Sequence, residues 1–152
     1  MKASSFINFK KSFALSPVNE ILTLASLVEK EGATDDDRKN IASVFYNRLN
    51  SDMALQSNIA VLYALGKLGQ ETTLKEDATI DTNIDSPYND YVHKGLIPGP
   101  VDSPSLSAIE AVINPSSTKY MYFVADEPLV MSILLKAMKS ISITLKLTLT
   151  AN

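Results

Sequence analysis

Between Pro17 and Asn50 the chain carries two apolar stripes at helical spacing, set back to back. In the first, Ile21, Leu24, Ala25 and Val28 recur every three or four residues, Pro17 suits a first helical turn and Gly32 suits a stop, so a helix is expected over 17–31. In the second, expected from Asp36 to Asn50, Asp35, Asp36 and Asp37 sit at the positive end of the helix dipole, and Ile41, Val44, Phe45 and Leu49 form the face to be buried. Two such helices joined by a short connection predict a helical hairpin.

A third helix is expected from Asn58 to Leu65, stopping before Gly66. From Gly69 to Pro104 the chain turns polar and is punctuated by Asp85-Ser86-Pro87 and Pro98-Gly99-Pro100, which disfavours regular structure and fixes backbone geometry. A loop of this length is more often functional than idle. Ser103 reads as an N-cap with Pro104 at the first helical position of a helix reaching Ile113, and the aromatic, β-branched run Tyr120 to Ala125 reads as a strand. The fold class these elements predict is α+β: the helical hairpin packed beside a small β-sheet, with a long Pro/Gly-punctuated loop.

At 152 residues, 45% of them hydrophobic, the chain has the length for one domain with an apolar core and not for two. A net charge of −3, with no basic block interleaved with aromatics, gives no support to a nucleic-acid partner. Absence of cysteine removes disulfides and thiolate chemistry, and the single histidine, His93, expected on a surface loop, makes a His-ligated metal site unexpected. No metal and no cofactor are predicted. The opening MKASSFINFKKSFALSP mixes serines, Asn8 and Lys10-Lys11 into its apolar residues and forms no signal-peptide core. Lys136, Lys139 and Lys146 interrupt the apolar carboxyl end short of the roughly 20 residues a membrane helix needs.

The residues with chemistry to offer begin at Glu29-Lys30-Glu31. A carboxylate at a helix C-terminus faces the negative end of the dipole, which disfavours its charged form. At about 100° per residue Glu31 falls beside Leu24, Leu27 and Val28, where partial desolvation raises a carboxyl toward a usable general acid. Glu29 falls nearer Leu22 and Ala25, and the helical wheel does not choose between the two. On this pattern alone, two solvated helix-end glutamates are the commoner outcome.

Five separated segments, LTLASLVEKEG with DRKNIASVFYNRLN, then MALQSN, SPYNDYVHKGLIPGP and YMYFVAD, stand in the order of the successive signatures of the endolytic murein transglycosylase (MltG/YceG-like) family, which the chain resembles from Val18 to Asp126. The resemblance implies a membrane-anchored enzyme acting outside the cytoplasm on nascent peptidoglycan glycan strands. It would cleave the bond between N-acetylmuramic acid and N-acetylglucosamine and leave a 1,6-anhydro-muramoyl end, with peptidoglycan synthases as partners. Its catalytic glutamate is the second of the E-K-E motif, here Glu31. Asn47, Gln56, Tyr88, Asn89 and Tyr91 fall on motif positions that would line the glycan cleft. Asn58-Ile59-Ala60 stands where relatives carry Asp-Pro-Thr, which weakens any role of that aspartate here.

A lytic transglycosylase needs one carboxyl, which first protonates the leaving oxygen and then takes the proton of the sugar's own 6-hydroxyl. A hydrolase wants a second carboxylate, about 5 Å away as nucleophile or about 6.5–9.5 Å away to activate water. Residues two apart on a helix point to different faces, so Glu29 does not serve Glu31 in that way. The alternatives are an inactive truncated fragment of such an enzyme and a non-catalytic glycan-binding module.

Three segments are expected: a truncated lead-in over 1–16, an incomplete catalytic domain over 17–127, and a non-family tail over 128–152, without the membrane anchor or signal peptide that the resemblance implies. All 17 acidic residues lie at or before Glu127, and the tail PLVMSILLKAMKSISITLKLTLTAN is apolar with only lysines for charge. Back-translated with one base restored beside the Glu127 codon, it permits ETSGDVYFAKSYEEHKHYVETHVNSK, which resembles the family's closing strand and helix. The tail is therefore expected to be a frameshift product.

Overall fold

The structure, a computed structural model, describes residues 17–68 and 80–123. The chain divides into two compact units after Met121, and of the second only Tyr122 and Phe123 are described. Lead-in 1–16, the first part of the polar loop and the tail 128–152 lie outside the described residues.

The first unit is built on four helices among the described residues: α1 (Pro17–Glu31), α2 (Asp35–Asn50), α3 (Asn58–Ala64) and α4 (Leu106–Ile113). Helix α1 has the predicted limits. Helix α2 begins one residue before the predicted start, because Thr34 caps it in a full capping box: its hydroxyl accepts from the Asp37 amide, and Asp37 accepts from the Thr34 amide. Three aspartates in its first turn add favourable charge at the positive end of the dipole. Helix α3 ends at Ala64, and Gly66 takes a φ of +68° just beyond, a conformation glycine adopts without strain. For α4 the structure corrects the start. Ser105 is the cap, accepting from the Ala108 amide, and Ser103 and Pro104 precede the helix.

The hairpin is present, and α4 packs against both α1 and α2 while α3 meets α1. Leu24, Leu27 and Val28 of α1, Ile41, Val44 and Phe45 of α2, and Ala108, Ala111 and Val112 of α4 are buried together with Leu55, Val61, Ile97 and Val101. A corner this tight needs a small residue: a Cβ on Gly32 would lie 2.6 Å from Arg38 Cγ and 3.1 Å from the Arg38 backbone. Gly32 therefore ends α1 by allowing α2 to come close.

The α+β expectation is overturned: no β-strand occurs among the described residues, and there is no sheet beside the hairpin. In the expected strand Tyr120–Ala125, residues 120–123 are irregular and 124–125 lie outside the described residues. The physical reason lies in α2. Asn47 Nδ2 donates to the carbonyls of Thr118 and Tyr120 at 3.0 and 2.9 Å, and Arg48 Nε donates to the Met121 carbonyl at 2.6 Å. Ser43 Oγ and Thr118 Oγ1 share a further bond of 2.7 Å. Side chains of a helix thus take the acceptors that a neighbouring strand would have used. The loop from 80 to 104 is irregular, as predicted.

Candidate active site

The three residues Glu29-Lys30-Glu31 end α1 with their side chains divided between two neighbours. Glu29 accepts from the Ser105 amide at 2.9 Å and from its hydroxyl, and meets Arg38 at 3.5 Å. Those donors from Ser105 hold its carboxyl below the usual carboxylate range, with the Arg38 charge helping. Lys30 pairs with Asp102 at 2.7 Å. One turn earlier, the buried Ser26 hydroxyl donates to the Thr23 carbonyl and accepts from the Val101 amide at 3.0 Å. Ser26, Glu29 and Lys30 therefore fasten the 101–105 segment to α1, and Glu29 is committed as an ionised anchor at the start of α4.

Glu31 turns the other way. Half-buried, it accepts from the Ser57 hydroxyl at 2.9 Å through Oε1. Ser57 is itself held from below: its amide lies 3.1 Å from each carboxylate oxygen of Asp90, and the Gln56 amide donates to the Asp90 carbonyl at 3.2 Å. Gln56 takes a φ of +55° to make that turn, and its side chain stays exposed. Asp90 is 1% exposed. Burial pushes its carboxyl up to about 7; the negative charge of Glu31 adds to the rise, and the Ser57 amide and the Arg48 guanidinium oppose it. Arg48, also buried, donates to the Leu55 carbonyl and so braces the same turn from α2.

Tyr91 closes the group. Its hydroxyl donates to Asn58 Oδ1 at 2.6 Å, and its own ionisation is pushed up by burial and by the charges of Asp90 and Glu31. An asparagine oxygen at position 58 thus accepts this bond, as an aspartate would. The structure brings Glu31, Gln56 and Tyr91 together around Ser57 and Asp90. Tyr88 stands against Tyr63 of α3, ring centroids 4.8 Å apart and tilted by 48°. Asn89 is fully buried, donates to the carbonyls of Thr82 and Ile84, and accepts from the Tyr91 amide. It organises the 82–91 loop, as Asn47 holds 118–120; both amides are engaged with backbone.

Sequence reasoning misses Asp90, Ser57 and Arg48 as site residues. The signal for Asp90 is within reach, because it lies inside the SPYNDYVHKG segment beside Asn89 and Tyr91. No group of His, Cys, Asp and Glu side chains that could hold a metal occurs among the described residues. Nor is any described helix long and apolar enough to cross a membrane.

What this arrangement offers is one half-buried, hydrogen-bonded carboxyl at a helix end, backed by a second, fully buried one. Known proteins share the sequence that builds it. Over 109 residues the chain is 71% identical to an endolytic murein transglycosylase of Streptococcus pneumoniae, covering 72% of this chain and 20% of that protein. Over 108 residues it is 47% identical to one from Bacillus subtilis, covering 71% of this chain and 29% of the relative. A solved structure of a YceG-like protein from Listeria monocytogenes is similar over 72% of this chain and 34% of the other, at 47% identity and a TM-score of 0.63. The chain thus spans between a fifth and a third of the curated relatives' length. The YceG-like family model matches residues 2–132, wider on both sides than the expected 17–127. With its E-K-E helix end, its SPYNDY loop anchored by the buried Asn89 and Asp90, and a family match over most of its length, the chain belongs to the YceG-like family.

Proposed function

We propose that this chain carries the catalytic centre of an endolytic peptidoglycan lytic transglycosylase, with Glu31 as its single acid and base. The observation that carries the reading is the division of labour at the end of α1: Glu29 is held ionised by Ser105 and Arg38, whereas Glu31 faces Ser57 with the buried Asp90 behind it. A glutamate anchored as an anion is a poor proton donor. A half-buried one beside a second carboxyl is suited to hold and release a proton.

In the reaction, the Glu31 carboxyl gives its proton to the glycosidic oxygen as the bond from C1 of N-acetylmuramic acid breaks. The 6-hydroxyl of the same sugar then closes on C1 and returns its proton to Glu31, which leaves a 1,6-anhydro end with no water consumed. Tyr88 with Tyr63 offers aromatic faces on which a sugar ring can stack. The exposed Gln56 amide offers hydrogen bonds to sugar hydroxyls, and Asn89 shapes a wall through the 82–91 backbone it holds. Peptidoglycan strands are the substrate class, and action on a nascent strand would put the site outside the cytoplasm, near the membrane and the synthases that make it.

Incubation of the purified chain with glycan strands, followed by mass spectrometry of the products, tests this. Anhydro-muramoyl ends in the wild type and not in Glu31→Gln are expected. Binding without products would favour a glycan-binding module, and neither binding nor products an inactive fragment.

A further inference from the structure

We propose that Asp90 is a positioning residue for Glu31: through Ser57 it fixes the hydroxyl that holds the Glu31 carboxyl, and its own charge governs how firmly that carboxyl keeps its proton. The proposal rests on the reading of Glu31 as the acid.

The geometry runs through one residue. Ser57 touches Glu31 with its hydroxyl, at 2.9 Å, and Asp90 with its amide, at 3.1 Å, so the two carboxyls hold one residue, one by its side chain and the other by its backbone. Asp90 also takes the neighbouring Gln56 amide on its carbonyl, and the turn it thereby fixes includes Gln56 at a φ of +55°. A carboxyl that is 1% exposed is costly to keep charged, and a neutral amide or an apolar residue would fill the same space at less cost. Among the described residues, the groups that bear on it are Glu31 from the end of α1, Arg48 from α2, the Ser57 amide before α3, its own backbone amide and Tyr91 next to it in the chain.

Two carboxyls that feel each other's charge titrate as a pair. Below about pH 7 Asp90 is mostly neutral, and above it Asp90 presents a negative charge toward Glu31. As Asp90 ionises, its negative charge opposes loss of the Glu31 proton. A buried aspartate in this place extends the working range of a general acid toward alkaline pH. A merely structural aspartate would not.

Two measurements on the full chain test this. In 13C-detected carboxyl titrations, Glu31→Gln removes a charge that bears on Asp90, and the Asp90 midpoint should fall by about one unit, the size expected for coupled sites. In turnover of glycan strands, Asp90→Asn keeps an oxygen to accept the Ser57 amide. Its loss should be small at pH 6 and grow to about tenfold at pH 8, with KM unchanged. An Asp90 midpoint that does not move in Glu31→Gln overturns the proposal, as does an Asp90→Asn loss that is the same at every pH. Should Asp90→Asn fail to fold, the Glu31→Gln titration decides alone. A moving midpoint in a chain that makes no anhydro ends would sink the glycan-cleaving reading and leave the coupling of the two carboxyls standing.

Discussion

Glu29 and Glu31 differ by two positions and by nothing in residue type, so the helical wheel could not separate them. What separates them is long-range: Ser105 and Arg38 meet one, Ser57 the other. The two Gln substitutions are therefore expected to fail in different ways. Glu31→Gln should cut turnover by about 10²–10⁴, the usual worth of general acid–base catalysis, with a near-native melting temperature. Glu29→Gln should lower the melting temperature by loosening the start of α4 and leave the pH profile of turnover in place. Asp90 gave no periodic signal, since a single acid in a polar loop resembles any solvated one. Its burial makes it visible in stability. The carboxyl titrates at about 7 when folded and from a reference value of 3.8 when exposed. Its contribution is thus complete below pH 4, declines by up to about 1.4 kcal/mol per pH unit above it, and is gone once the pH passes about 7. Denaturant unfolding between pH 5 and pH 8 should show a steeper decline in the wild type than in Asp90→Asn, and parallel curves would contradict it.

At the scale of elements, the helices were legible because each announces itself locally. Apolar spacing marks α1 and α2, and both ends of the first hairpin carry their own stop and start residues. The start of α4 was misplaced by two residues because Ser103 and Ser105 are equally good caps on paper; the Glu29 carboxylate beneath Ser105 is the tertiary contact that singles it out. The expected strand failed for a similar reason. Tyr120 to Phe123 has strand-forming composition, but the carbonyls of Tyr120 and Met121 are taken by Asn47 and Arg48 of α2. Asn47→Ala leaves the carbonyls of Thr118 and Tyr120 without those donors. It should cost about 1–3 kcal/mol of stability while KM for glycan stays near wild type. A raised KM with unchanged stability would instead make Asn47 a substrate contact. Gly32→Ala is expected to cost about 1–3 kcal/mol through the clash with Arg38, read as a lower denaturation midpoint with the same slope.

For the molecule as a whole, the family was legible from five short segments in order, and the matched relatives extend far beyond this chain, which covers 20% of one and 29% of another. Such motifs report on the site, not on the closure of the fold around it, which explains why the E-K-E end and the SPYNDY loop were found and the arrangement of the last described residues was not. We predict that residues 128–152 are translated from a shifted frame. The argument is chemical: the chain has 17 acidic residues, none of them after Glu127, whereas a solvated segment of this length in a chain of net charge −3 would be expected to carry some. Back-translation permits an alternative frame, one base away, with acidic and aromatic residues in a pattern resembling the family's closing strand and helix. Sequencing the coding DNA across the Glu127 codon decides it, and a frame with no family-like alternative one base away would end the idea. Repair of the base, if the shift is present, should sharpen thermal unfolding into a single cooperative transition. An unrepaired chain that already melts in one sharp transition would show instead that the substitute tail suffices.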